Sequence, residues 1–294
     1  MTIVPLIKRD YIYKLSEQGK RVDGRKFDEY RKIEIETNVI SKAEGSAKVK
    51  IGNTQVLAGI KLDVGEPYPD SPESGVLTTA AELIPLASPD FESGPPQADA
   101  IELARVVDRG VRESEVVEVE KLCIEPGEKV WIVFIDLHIL DYDGNLFDAA
   151  SLAALGALFT TKIPVTRLLE EKDIDSWQKK LLELYSITGV NEVIKNKIQN
   201  MKEDFPLPLK EPPISCTSVK FNKVVVLDPS LDEEEIADAR LTIATDKNGD
   251  IRAMQKGLSG SFTRDEVQKV IKVSVDNGRE LREQLYKSIG KENV

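Results

Sequence analysis

The sequence predicts an α+β protein in which groups of β-strands pack against a small number of helices. Residues with strand periodicity follow one another in runs, above all between positions 31 and 64, without a helix between successive strands. Such grouping is typical of α+β folds, whereas strictly alternating strands and helices would indicate a parallel α/β sheet. With 294 residues, the chain is long enough for one large domain or two ordinary ones.

The N-terminal part predicts one helix and then a meander of strands. Ile7, Tyr11 and Leu15 recur at helical spacing, and residues 32–36 alternate charged and apolar side chains as a half-buried strand does. Gly52-Asn53 is a turn signal between two further strands. The predicted elements are a helix over about 7–17, strands over about 32–36, 47–51, 55–64 and 75–86, and a helix from about Asp99.

The middle of the chain predicts two strands and a buried helix. The strands cover about 119–124 and 129–140, and the turn at 141–145 leads into a helix over 147–159. This helix is apolar nearly all round, so we expect it to be buried against a sheet rather than to lie at the surface.

The C-terminal part predicts a second strand group and a final helix. Before it lie a charged, helix-forming segment (170–204) and the proline-rich segment 205–213, which is the best candidate for a linker. Thr263 and Glu266 form a capping-box pattern that opens the last helix. The predicted strands are 214–221, 223–227, 241–245 and 251–255. We therefore divide the chain into 1–204, with a core at 20–165 and the charged segment 170–204 as an insertion, and 205–294.

Composition excludes several classes of protein. The chain has 40 Lys and Arg against 51 Asp and Glu, a net charge of −11, which lowers the expectation of nucleic-acid binding without excluding a local basic patch. Two distant cysteines, Cys123 and Cys216, predict neither a disulfide framework nor a zinc site. No apolar run approaches the ~20 residues of a membrane span, and the N-terminus lacks a secretory pattern, so we expect a cytoplasmic protein with no membrane contact. No glycine-rich nucleotide-binding loop is present.

Several motifs, in order, resemble the RNase PH family of phosphate-dependent exoribonucleases. They are Arg21-Val-Asp-Gly-Arg25 with Glu29-Tyr-Arg31, the meander opened by Gly45-Ser46-Ala47 and Gly52-Asn-Thr54, the arginine-bearing stretch 102–112, Asp136 before the Asp143-Gly144 turn, and the acidic segment 228–238. The resemblance covers about residues 20–285 and implies an RNase PH-like fold of the ribosomal protein S5 domain 2-like type. Residues 91–96, 100–110 and 226–235 are more narrowly similar to the non-catalytic RNase PH-like subunit of the archaeal exosome core.

The turn that opens the buried helix departs from active members of this family. Phosphorolysis needs a cationic, hydroxyl-lined cradle for phosphate, and active members resemble Asp-Gly-Gly-Thr-Arg-Thr at this place. Here the sequence is Asp143-Gly144-Asn145-Leu146-Phe147-Asp148. Two apolar side chains replace a hydroxyl and a guanidinium, and Asp148 adds a negative charge that repels phosphate. We therefore expect the phosphate cradle to be absent.

The acidic motif of active members, two aspartates six residues apart, is also altered. Aligned through Leu227-Asp228, the two positions fall on Glu234 and Arg240, whereas a shifted alignment would place Asp232 and Asp238 there. The first alignment predicts a chain without catalytic residues, and the second leaves an active exoribonuclease open. A metal site at 232–235 is the weaker interpretation, because acidic runs are more often solvated loops.

Arg105, Arg109 and Arg112 are the candidate RNA-binding residues. On a helix their spacing puts them in one narrow arc opposite the apolar face, which suits a row of backbone phosphates. The resemblance implies that this helix faces RNA near a neighbouring subunit's active site, with Arg105 and Arg109 the better candidates. The alternative is a solvated face on which Glu102, Asp108 and Glu113 pair with the arginines.

Asp136 and His138 share one strand face, but no nucleophile is predicted beside them, so a structural role is favoured over a catalytic pair. We expect no catalytic residue, metal or cofactor in this chain.

Taken with the resemblance, the sequence predicts an exosome subunit that is inactive alone. It would pair with a catalytic RNase PH-like subunit in a hetero-hexameric ring, a trimer of heterodimers. RNA-binding cap subunits and single-stranded RNA are the other expected partners. Inorganic phosphate would be a substrate at the partner's site. The alternatives are an active phosphorolytic 3′-to-5′ exoribonuclease and a scaffold without RNA contact.

Overall fold

Two β-sheets, one of six strands and one of four, form the framework of the protein in the computed structural model, which describes residues 4–188, 192–199, 201 and 204–290. The strands are β1 (Ile33–Thr37), β2 (Gly45–Ile51), β3 (Thr54–Gly65), β4 (Val76–Leu83), β5 (Cys123–Glu125), β6 (Lys129–Asp141), β7 (Lys162–Ile163), β8 (Phe205–Pro206), β9 (Ile214–Phe221), β10 (Val224–Leu227), β11 (Ala239–Thr245) and β12 (Ile251–Gly257). The helices are α1 (Val4–Glu17), α2 (Ala98–Glu113), α3 (Leu146–Thr160), α4 (Val165–Leu168), α5 (Glu171–Thr188), α6 (Glu192–Gln199), α7 (Leu231–Glu235) and α8 (Arg264–Ser288). The α+β prediction is confirmed.

The larger sheet has the order β1-β2-β3-β6-β4, with β5 paired to β6, and only β4 runs parallel to its neighbour. The register Ile33↔Ile51 and Ile35↔Val49 keeps the buried residues of β2 on the core face. A slip by one residue would turn that apolar set to solvent, so the alternation in the sequence fixes the pairing. The smaller sheet is antiparallel with the order β10-β9-β11-β12.

Helix α3 lies between the two sheets and contacts β2, β3 and β9. It is buried on all sides, as its apolar composition predicts. Gly156 allows the close approach, because a Cβ atom there would lie 2.9 Å from the Cβ of Ala47. Core residues of both sheets belong to one continuous cluster, which means that α3 is shared by both layers.

Two local predictions are wrong. Residues 119–122 form a 3-10 helix, not a strand. The turn is stabilised by an ion pair between Lys121 and Glu118 and by a hydrogen bond from the Trp177 indole to the Lys121 carbonyl. Strand β4 ends at Leu83, two residues before Pro85, which cannot donate to a strand ladder. The helix predicted over about 7–17 is confirmed as α1, whose buried side chains are Ile12 and Ser16, whereas Ile7 and Tyr11 are exposed. The capping box of α8 is confirmed: the Thr263 hydroxyl accepts from the amide of Glu266.

The segment 205–213, predicted as a linker, is a packed strap. Phe205 and Leu207 are buried, β8 pairs with β7, and the Lys210 amide donates to the Val116 carbonyl. Proline and apolar residues here fill the core instead of spacing two domains. The charged segment 170–204 is helical in α5 and α6, and positions 189–191, 200 and 202–203 lie outside the described residues. The division into 1–204 and 205–294 stays a prediction.

Within the described ranges, no helix has both the length and the apolar character needed to cross a membrane.

Candidate functional site

The three candidate arginines lie on the exposed face of α2. The opposite face is buried and consists of Ala100, Leu103, Val106, Val107, Gly110 and Val111. Arg105, Arg109 and Arg112 are all exposed, as the helical spacing predicts. The helix therefore presents a stripe of guanidiniums to solvent from a rigid, well-packed base.

The three guanidiniums differ in the hydrogen bonds that they make within the chain. Arg112 donates twice to the Asp108 carboxylate, at 2.9 Å each, and once to the Leu77 carbonyl at 3.1 Å. Arg109 donates to the amide oxygen of Gln255 at 2.6 Å. Arg105 makes no hydrogen bond or ion pair within the described part of the chain. The alternative in which the arginines pair with carboxylates of the same chain therefore holds for Arg112. Arg105 and Arg109 are not paired with a carboxylate and keep their positive charge.

The turn before α3 has an unusual backbone. Gly144 and Asn145 both adopt positive φ values, of 87° and 57°. A Cβ at position 144 would lie 2.5 Å from the Pro229 carbonyl oxygen, so the close approach of residues 229–231 requires glycine. The Asn145 amide, which opens the helix, donates to the Glu234 carboxylate at 2.9 Å. A helix N-terminus is a ready anion site, and here a carboxylate of the same chain already occupies it.

Asp148 lies buried in the first turn of α3. It accepts hydrogen bonds from the Tyr30 hydroxyl, the Asn145 side chain, and both the amide and the hydroxyl of Thr217, at 2.7–2.9 Å. Burial raises the pKa of Asp148 to about 6, and these neutral donors only partly counteract it. The Tyr30, Asn145 and Thr217 donors around this position are thereby engaged within the chain.

Asp228 is the second buried carboxylate beside this turn. It accepts from the guanidiniums of Arg25 and Arg31 and from the Asn145 side chain at 2.7–2.9 Å. Burial raises the pKa of Asp228, but the charge and hydrogen bonds of Arg31 more than offset this, so the pKa lies below its ordinary value. Arg31, which also donates to the Asp143 and Gly144 carbonyls, is thereby tied together with Arg25 to a carboxylate of the same chain.

A cavity of about 300 Å³ opens beside Phe147, and its walls are acidic. Its ionisable lining residues are Asp90, Asp99, Glu102, Glu234, Glu235, Tyr142 and Arg240. Arg240 is the cation of this lining, and a carboxylate of the same chain pairs with it: its guanidinium lies 4.1 Å from the centre of the Phe147 ring and donates to Glu102. Carboxylate and phosphate about 4 Å apart repel by about 1 kcal/mol in water and about 4 kcal/mol near a protein surface.

The structure separates the two alignments of the acidic motif. Glu234 and Arg240 line the cavity, whereas Asp232 and Asp238 are not part of its lining. Asp232 pairs with Lys8 at 2.8 Å, and Asp238 is exposed. The geometry therefore favours the alignment through Leu227-Asp228.

The interpretation of residues 232–235 as a solvated loop is wrong. They form α7, opened by a capping box between Ser230 and Glu233. Glu233 is buried and pairs with Arg21 at 2.5 Å, and Glu234 accepts from Tyr142 and Asn145. Burial raises the pKa of Glu234 despite these donors. The acidic run therefore holds the turn at 143–148 in place, and within the described residues no group of His, Cys, Asp and Glu side chains could hold a metal.

Asp136 and His138 lie on the outward face of β6. The His138 Nδ1 atom is 3.2 Å from a carboxylate oxygen of Glu82, and burial raises the pKa of Asp136. Neither lines the cavity beside Phe147.

Sequence reasoning missed two residues, Arg240 as the cation of the cavity and Gln255 as the partner of Arg109. In the solvated-face alternative Glu102 pairs with the α2 arginines, but in the structure it accepts from Arg240 instead. A charge reversal at position 240 of the acidic motif was the available signal for the first residue. We find no sequence signal for the second.

Comparison with known proteins agrees with this geometry. Residues 29–164 match domain 1 of the 3′ exoribonuclease (RNase PH) family, and residues 211–277 match domain 2. The chain is 51% identical over 283 residues to the exosome complex component Rrp42 of Methanocella arvoryzae, covering 96% of this chain and 97% of that protein. It is 53% identical to Rrp42 of Thermococcus gammatolerans, covering 97% and 96%.

The fold is also similar to a chain of the Archaeoglobus fulgidus exosome solved with RNA bound to the active site. The TM-score is 0.83 and the identity 46%, with 96% of this chain and 99% of that chain covered. Both domains of the family are matched in order, and the relatives align over nearly their whole length. The chain therefore belongs to the RNase PH family of 3′ exoribonucleases.

Proposed function

We propose that this chain is a non-catalytic subunit of an exosome core ring that holds RNA for a catalytic RNase PH-like partner. The ring would be a trimer of heterodimers, carry RNA-binding cap subunits and work in the cytoplasm. The proposal rests mainly on the start of α3. There the Glu234 carboxylate accepts from the Asn145 amide, and Asp148 accepts from the Asn145 side chain and the Thr217 hydroxyl. Inorganic phosphate would be used at the partner's site, and this chain would need no cofactor.

The proposed RNA contact rests on the contrast between the cavity and α2. The cavity is lined by five carboxylates and by one guanidinium, that of Arg240, which is paired with Glu102, so the cavity repels a polyanion. Arg105 and Arg109 are exposed and are not neutralised by a carboxylate. A guanidinium donates paired hydrogen bonds to phosphate oxygens, which makes this stripe the suitable place for an RNA backbone. Similarity to Rrp42 proteins and to an RNA-bound exosome supports the same assignment.

The first experiment separates catalysis from binding. The purified chain, its catalytic partner, and the reconstituted ring are each incubated with single-stranded RNA and inorganic phosphate, and nucleoside diphosphate release is measured. We expect none from this chain alone and release from the ring. Release by the lone chain, abolished by Asp232→Ala or Asp238→Ala, would establish the active-enzyme alternative and overturn the proposal.

The second experiment separates an RNA-binding subunit from a pure scaffold. Arg105→Ala and Arg109→Ala should each lower the affinity of the ring for RNA about tenfold, because each removes a charge-assisted hydrogen bond to phosphate. Arg279→Ala, which removes an exposed arginine from α8, is the matched control and should have little effect. Rings of both α2 variants that assemble and bind RNA as the unaltered ring does would support the scaffold.

A further inference from the structure

Gln255 forms a bridge between the edge of the smaller sheet and the arginine stripe. It lies on β12, which pairs with β11 on one side only, and its residue partner across that ladder is Thr242. Its side chain is partly buried, whereas Met254 and Lys256 on either side are exposed on the other face of the strand. Its amide oxygen accepts from the Arg109 Nη1 atom at 2.6 Å, across 146 residues of sequence.

The chemistry of the acceptor matters for what Arg109 can do next. Arg112 is held by the Asp108 carboxylate, which restricts its guanidinium and also cancels its charge. Arg105 keeps its charge but has no partner that orients it within the described residues. Arg109 alone combines the two useful properties, because a neutral amide oxygen fixes one N–H and leaves the positive charge and the remaining donors available.

We propose that Gln255 is a positioning residue that orients the Arg109 guanidinium for contact with an RNA phosphate. This inference rests on the proposed RNA contact of Arg109. An unrestrained arginine loses rotamer freedom when it binds, and a guanidinium already held in place loses less of it. Strand β12 supplies a rigid base for this, since its register with β11 fixes the position of residue 255 relative to α2.

The test uses the reconstituted ring and a fluorescent single-stranded RNA, with inorganic phosphate omitted so that the RNA is not degraded. Affinity is measured over a series of salt concentrations. Gln255→Ala should weaken RNA binding about threefold to tenfold, the effect of one hydrogen bond, and should leave the salt slope unchanged because the phosphate contact itself persists. Gln268→Ala removes an exposed glutamine from α8 and is the matched control.

Gln255→Glu distinguishes positioning from a merely structural role. The carboxylate would keep, and even strengthen, the bond to Arg109, so a structural role predicts no loss. Contact of Arg109 with RNA predicts a larger loss than for Gln255→Ala, because the carboxylate neutralises Arg109 and repels phosphate. The salt slope should also be reduced by about 0.7, the contribution of one phosphate contact on single-stranded nucleic acid, because Arg109 is then neutralised.

A double-mutant cycle separates the failure of this inference from that of the proposed function. In the Arg109→Ala background, Gln255→Ala should have no further effect on affinity. A persistent effect there would overturn the positioning role while leaving Arg109 as an RNA contact. Gln255→Glu binding as the unaltered ring does would contradict the RNA contact of Arg109, and the positioning role with it. If Arg109→Ala itself binds RNA normally, the proposed RNA contact of Arg109 fails first, and the positioning role with it.

Discussion

At the scale of single residues, the start of α3 contrasts two buried aspartates. Asp228 accepts from two guanidiniums, and although burial raises its pKa, the charge of Arg31 brings that pKa below its ordinary value. Asp148 accepts only from neutral groups, among them the Tyr30 hydroxyl, so burial prevails and its pKa rises to about 6. The charge of the hydrogen-bond donors, rather than their number, decides whether the pKa of each buried aspartate lies above or below its ordinary value.

Asp148→Asn should therefore change how stability depends on pH. Because the folded-state pKa of Asp148 is raised, the stability that its protonated form contributes is complete below about pH 4 and is lost as pH rises through about 6. The asparagine variant does not titrate. Its free energy of unfolding, relative to the unaltered chain, should increase by about 2–3 kcal/mol between about pH 4 and about pH 7. Urea unfolding at several pH values measures this.

The asparagine can keep the hydrogen bonds of Asp148. Its oxygen can accept from Tyr30 and the Thr217 amide, and its NH2 group can donate to the Thr217 hydroxyl, which then turns to the Thr242 hydroxyl 2.8 Å away. Asp148→Leu is the contrasting variant, which leaves these donors unsatisfied and should destabilise the chain at every pH. A parallel pH dependence of the asparagine variant and the unaltered chain would contradict titration of Asp148 in this range.

At the scale of elements, the strap 205–213 shows how composition can mislead. A run of prolines after a charged stretch is typical of a linker, yet Phe205 packs edge-to-face on Trp177, with ring centres 5.8 Å apart. The same Trp177 contacts Trp131 of β6 and donates to the Lys121 carbonyl. The strap, α5 and the six-stranded sheet are thus joined through one aromatic group.

Phe205→Ala should destabilise the chain by about 3–5 kcal/mol, the usual cost of emptying a buried phenylalanine site. Lys210→Ala lies in the same strap and removes only an exposed ion pair with Glu115, so it should cost at most about 1 kcal/mol. Chemical denaturation of both variants tests the packing. Equal, small effects of the two substitutions would mean that the strap behaves as a linker after all.

At the scale of the whole molecule, an overall charge of −11 coexists with a local stripe of arginines. Acidic residues line the cavity, whereas α2 exposes three arginines, so the average charge describes neither. Apolar side chains are also exposed, notably Leu86, Ile7 and Tyr11, at 78%, 75% and 56% of their full area. In the proposed ring, apolar side chains of this kind would be the ones available for burial against a partner subunit.

The melting temperature of the chain should therefore respond to its protein partner but not to inorganic phosphate. A ligand that binds only the folded state stabilises it in proportion to the logarithm of its concentration over Kd, so the catalytic partner should raise the melting temperature progressively. Phosphate should shift it no more than sulfate does, since the Glu234 and Asp148 carboxylates lie at the start of α3 and disfavour a second anion there. The catalytic subunit alone is the positive control, and a phosphate-specific shift in this chain would contradict an absent cradle.

The sequence by itself determined the strand grouping, the buried helix α3, the arginine face of α2 and the family. Each of these features can be predicted from local periodicity or from a short motif. Helix and strand periodicities can be recognised in the sequence because backbone geometry sets them. It also predicted, from Leu146, Phe147 and Asp148 alone, that the phosphate cradle is lost.

Only the tertiary structure decided what fills that place and what each arginine can do. The carboxylates of Asp228 and Glu234 reach the turn at 143–148 from more than 80 residues away, and Gln255 reaches Arg109 from 146 residues away. Such contacts depend on how the sheets and α3 pack together, and no local pattern records them. The physical reason is that charge and hydrogen bonding act through space, whereas sequence periodicity reports only the neighbours along one element.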